Sequence, residues 1–142
     1  MMTSADRGAT IDNLQSLARL ARNLRGHDPD FDQRIGVLVR NLTRTPDARQ
    51  VIGIANCPPY SGSTDIAARL TPVGWAMSVT HRPWLGGLVG GLPSSVVMWR
   101  EGEVEAAIGA EAWTNPLAMC AANLLSIAAD LEAGRRPSLV SP

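Results

Sequence analysis

The sequence predicts an α+β fold, a small αβα sandwich in which a three-stranded antiparallel meander is backed by helices. Three observations predict it. Apolar residues recur at helical spacing in two segments near the amino end and in one near the carboxyl end. Between them, residues 75–108 contain short β-type segments separated by glycine-rich breaks. The chain of 142 residues has the length of one domain, and its hydrophobic content of 45% suits a packed core. We expect residues 11–136 to form that domain, with disordered ends at 1–10 and 137–142.

Each element has its own local signal. From Ile11, the positions Leu14, Leu17, Ala18, Ala21 and Leu24 form an apolar stripe with Arg19 and Arg22 on the other side, and Gly26 is the expected stop. Asp28 before Pro29 is an N-cap and first-turn pair, and Asp30 and Asp32 suit the positive end of a second helix. Its stripe is Phe31, Ile35, Leu38, Val39 and Leu42, and it ends before Pro46. Residues 43–60 read as a long connection broken by Pro46, Pro58 and Pro59, with a short strand expected at 51–55. Ser63 caps a short helix to about Leu70, closed by Pro72 and Gly74. Residues 75–81 alternate as a strand with Trp75, Met77 and Val79 on one face, and the glycine-rich 82–93 is a flexible loop. Residues 95–100 and 103–108 are two further strands about a tight turn at Gly102. Asn115 and Pro116 open a final helix that stops at Gly134, with the Ala-rich face of Leu117, Cys120, Ala121, Leu124, Ile127, Ala128 and Leu131 turned to the sheet.

Composition narrows the function classes. The formal net charge is zero, with 13 basic and 13 acidic residues, so the basic excess of a nucleic-acid binder is missing. Every basic residue is Arg, which fits either a GC-rich genome or recognition of anions by forked, bidentate contacts. Cys57 and Cys120 stand in no metal-ligand spacing, and His27 and His81 are the only imidazoles, so no metal or cofactor is expected. No apolar run reaches the length of a membrane helix and no secretory segment is expected, which implies reduced thiols in a bacterial cytoplasm.

Three local motifs carry a family resemblance. They are 26–32 (Gly-His-Asp-Pro-Asp-Phe-Asp), 60–75 (Tyr60-Ser61-Gly62-Ser63-Thr64-Asp65-Ile66-Ala67, then Leu70 to Trp75), and 116–122 (Pro-Leu-Ala-Met-Cys-Ala-Ala). In order and composition the chain resembles the phage ABA sandwich domain family over roughly residues 17–132. The connection at 44–59 and the glycine-rich loop are longer than the resemblance implies. It implies a phage or prophage setting rather than a particular chemistry, since most such proteins have no assigned function.

The candidate site residues are Tyr60, Ser63, Asp65, Trp84, Arg100 and Trp113. Hydroxyls and amides at the start of the short helix suit an anion, although Ser63 is equally a plain cap. Trp84 and Trp113 offer stacking surfaces, and Arg100 faces either a phosphate or Glu103. Trp75 and Trp99 are expected in the core. Cys57 is a nucleophile only if His81 meets it as a base. No acid–base pair, metal set or activated nucleophile stands out, so the leading expectation is a non-enzymatic accessory protein that captures a small anionic ligand, such as a nucleotide signal of host defence. A second expectation is a protein–protein module, binding a host protein or forming a homo-oligomer, through the first helix and the Trp113 region. A hydrolase using Cys57 or Asp65 is the third.

Overall fold

The computed structural model describes residues 3–43, 57–82 and 92–139. The strand expected at 51–55, Trp84 and most of the glycine-rich loop lie outside the described residues. The elements run α1 (Ser4–Asn23), α2 (Pro29–Thr43), α3 (Thr64–Ala68), β1 (Trp75–His81), β2 (Ser94–Arg100), β3 (Glu103–Ala112) and α4 (Asn115–Glu132). The three strands form one antiparallel sheet in the order β1-β2-β3 with helices packed against it, so the fold is α+β as expected.

Capping places the helix starts. Asp28 Oδ1 accepts the Phe31 N–H at 2.8 Å, Ser63 Oγ accepts from Ile66, and Thr114 Oγ1 accepts from Leu117. One expectation is corrected here: residues 3–10 are not disordered but open α1. Thr3 Oγ1 accepts the Asp6 N–H at 3.0 Å, so a cap starts the helix where no apolar stripe announces it. The expected stop at Gly26 is also displaced. The chain leaves the helix at Leu24, whose backbone is extended and whose side chain packs against the core. At the other end, residues 137–139 are docked rather than disordered. Val73 N–H donates to the Ser138 carbonyl at 2.7 Å, and Leu139 pairs with Pro72 and packs on the core.

The sheet shows the alternation of a half-buried surface. Val96 and Met98 are buried, and the register places Met77 opposite Met98 and Ala110 opposite Val96 on that face. Trp99 points the other way beside Ala76 and is half-buried, so the expectation that it lies in the core is corrected by the pleat. Gly102, with φ of +84°, makes the turn into β3, a conformation that an L side chain strains to adopt. β3 then runs four residues beyond the expected end at 108, to Ala112.

α4 is the hub. It lies across the sheet, takes α3 along one side and packs against α1, while α1 reaches the sheet only at β3 and α2 joins α1. Covered on so many sides, α4 buries Leu117, Cys120, Leu124 and Ile127 completely, each large apolar side chain contributing about 1.5–3 kcal/mol relative to exposure. Ala118, Ala121, Ala122 and Ala128 add little bulk, which lets both the sheet and α1 come close.

Candidate binding face

An open face with exposed charged chemistry lies where the carboxyl half of α1 runs beside the edge strand β3. Leu14, Leu17, Ala18 and Ala21 bury one face of α1. Helical spacing sets Arg19 and Arg22 one turn apart on the exposed side, about 4.5 Å along the axis at about 1.5 Å per residue, and Arg25 follows just past the extended Leu24, also exposed. Arg22 Nη1 meets Glu111 Oε2 at 3.4 Å across the gap to β3. The guanidinium of Arg25 sits 3.9 Å above the Trp113 ring, a close cation–π contact at the end of the row. Arg19 bonds only the Ser16 hydroxyl. Between the helix and the strand lies an open groove of about 390 Å³ whose floor is Ala18, Ala110, Ala121 and Leu125. The ion pair is more than 40% exposed on both sides, so water screens it and Arg22 can exchange partners at little cost.

The six residues singled out from the sequence do not meet. Trp113 lies just before the amino end of α4, and Arg100 is bound to Asp130 near its carboxyl end, about 20 Å away along the helix. Tyr60 sits at the helix middle, where its carbonyl accepts from Cys120, and is only 5% exposed. Ser63 is spent as the cap of α3, and Asp65 is exposed in its first turn. Trp84 lies outside the described residues. Of the six, Trp113 alone lies beside this face, held against Arg25, while Arg19 and Arg22 were read from the sequence only as the polar side of a helix.

Two buried carboxylates escaped the sequence reading. Asp130 is 2% exposed; its Oδ1 accepts from Arg100 Nη1 and Arg135 Nε, both at 2.9 Å, and its Oδ2 accepts from Trp75 Nε1 at 3.1 Å. The expected partner of Arg100, Glu103, is a looser neighbour at 3.7 Å. Asp32, also 2% exposed, accepts the Ser61 N–H on Oδ1 at 2.8 Å. His27 Nε2 lies 2.9 Å from its Oδ2, but off the line of a hydrogen bond, so that oxygen has an imidazole beside it and no directed donor. The Ser61 hydroxyl in turn accepts the Asp28 N–H at 2.8 Å. Two of the motifs that carry the family resemblance, 26–32 and 60–75, are thereby bound to each other.

The thiols are built in rather than poised. Cys57 Sγ donates to the Asp32 carbonyl at 3.1 Å, and burial, then the Asp32 charge, pushes its pKa up. Cys120 donates to the Tyr60 carbonyl, and burial pushes its pKa far up. Burial also raises the Tyr60 phenol to about 12. His81 bonds Ser94 across the β1–β2 pair and Cys57 bonds the backbone of α2, so neither serves the other. A raised thiol pKa disfavours the nucleophilic thiolate.

No family model, no curated protein and no solved structure matches the chain. Among the described residues, no helix is long and apolar enough to cross a membrane.

Proposed function

We propose that this chain is a non-catalytic binding module that engages another protein through the face made by α1, the edge of β3 and Trp113. One observation carries this reading: an exposed arginine row stands beside a sheet edge, with a half-buried tryptophan at its end. Arg and Trp are the side chains on which protein contacts most often depend, because they combine large buried area with directional bonding. The cysteines engaged with backbone carbonyls favour binding over catalysis. The zero net charge, with Glu111 inside the face, favours a protein over a nucleic acid. The resemblance of the three motifs to phage ABA sandwich proteins supports a phage or prophage setting, with the module acting in the bacterial cytoplasm.

Site-specific photocrosslinking in bacterial cells tests the reading. A photoreactive residue at Arg19 is expected to give discrete protein adducts, and one at Val97, exposed on the opposite side of the sheet, is not. Absence of adducts at position 19, or equal adducts at both positions, refutes it. A melting-temperature increase with millimolar nucleotide and no adducts would restore capture of a small anionic ligand.

A further inference from the structure

We infer that the partner of this face is an extended acidic peptide segment that adds to β3 as a fourth strand. The inference rests on the proposed binding face and names what fits it.

The first ground is the sheet edge. Among the described residues β3 pairs with β2 alone, and no backbone bond from Glu103–Ala112 reaches any other element. An edge strand with unpaired N–H and C=O groups is a template for another strand unless bulk, charge or proline blocks it. Here Ala106, Ala107 and Gly109 are small and exposed, and a Cβ at Gly109 would meet nothing within 4 Å. A neighbouring backbone can therefore approach to strand spacing along the middle of β3.

The second ground is what lies beside that edge. α1 packs along α4 and touches only β3 of the sheet, so it continues the helix layer past the last strand. A fourth strand would lie alongside Arg19, Arg22 and Arg25. In a strand, alternate side chains share a face about 6.6 Å apart, so three acidic residues at alternate positions span about 13 Å. Arg19 and Arg22 lie about 4.5 Å apart along α1, Arg25 follows beyond the helix end against Trp113, and the long arginine side chains reach carboxylates at that strand spacing. Ala18, Ala110, Ala121 and Leu125 leave the groove floor shallow and apolar enough to take the aliphatic part of each carboxylate side chain.

Charge selects the occupant. Arg19 and Arg22 against Glu111 leave the groove positive, with Arg25 beyond its end, which attracts carboxylates. A second copy of β3 is a poor occupant. Paired antiparallel about Ala107, it would set Glu103 opposite Glu111, and like charges directly opposed are unfavourable.

The test is fluorescence anisotropy with the full chain and a labelled peptide of about eight residues alternating Glu and Val, a usual strand length. Three comparisons accompany it: the same peptide with Gln for Glu, the same peptide N-methylated at alternate amides, and a thymidine oligonucleotide of equal charge. The acidic peptide is expected to bind at micromolar concentration. The Gln peptide, the N-methylated peptide and the Arg19→Glu/Arg22→Glu variant are each expected to bind at least ten times more weakly. The variant's melting temperature should stay within a few degrees of the parent, since both side chains are exposed. Equal binding of the N-methylated peptide, equal binding of the Gln peptide, equal binding of the oligonucleotide, or no peptide binding overturns the inference. If no peptide binds while crosslinks still form at position 19, strand addition is wrong and the binding face stands. If both fail, the face itself is wrong.

Discussion

Replacing Asp130 by alanine should be among the most damaging changes on the polar side of this fold. The substitution removes three hydrogen bonds at once and leaves the part-buried Trp75 N–H and the Arg100 guanidinium without their acceptor. Loss of one partner of a buried ion pair costs about 3–5 kcal/mol. Arg100 keeps 26% of its side chain in water, so partial hydration moderates that penalty. The Arg135 bond adds little, because that side chain is 39% exposed. A net loss of about 3 kcal/mol follows, and at roughly 3–4 °C per kcal/mol for a chain of this size the melting temperature falls by about 10 °C. Urea unfolding monitored by tryptophan fluorescence reads the change as a lower midpoint with an unchanged slope. Arg135→Ala is the internal control, expected to cost less than about 1 kcal/mol. A loss below about 1 kcal/mol for Asp130→Ala, or equal losses for the two variants, would refute the view that Asp130 clamps β1 and β2 onto the end of α4.

Asp32→Ala should cost about 2–3 kcal/mol by leaving the buried Ser61 N–H without its acceptor, whereas His27→Ala, half-exposed, should cost under about 1 kcal/mol; urea midpoints separate them. Alkaline pH should weaken the fold through Tyr60. Its folded pKa of about 12 exceeds the ordinary 10.0, so its contribution is full below pH 10 and is lost as pH rises through about 12, a change of about 2–3 kcal/mol. Tyr60 is the only tyrosine, so near-ultraviolet phenolate absorbance follows it directly, and Tyr60→Phe should flatten the decline in stability. Ellman's reagent should label Cys57, half-buried, slowly and Cys120 only on unfolding; fast labelling of both in the native protein would contradict the burial of Cys120 and the carbonyl contacts of both. Thr114→Ala should cost about 1 kcal/mol by uncapping α4, read as a drop in urea midpoint.

The sequence by itself determined what depends on near neighbours along the chain. Helical spacing announced α2 and α4, the caps at Asp28 and Ser63 fell where expected, and alternation with Gly102 marked the β2–β3 turn. Where no apolar stripe existed, as at residues 3–10, a capped helix went unread. Tertiary structure alone decided the fate of the charged residues. Asp32 reads along the chain as a solvated first-turn acid and Asp130 as the polar side of a helix. Each is buried because a remote segment, Ser61 in one case and Arg100 with Trp75 in the other, brings donors to it. Likewise Arg25 and Trp113 lie far apart in sequence, and only the packing of α1 against α4 stacks one upon the other. Local periodicity fixes which face of an element is apolar; which polar group a neighbouring element covers, and which it leaves for a partner, depends on distances that exist only once the layers close.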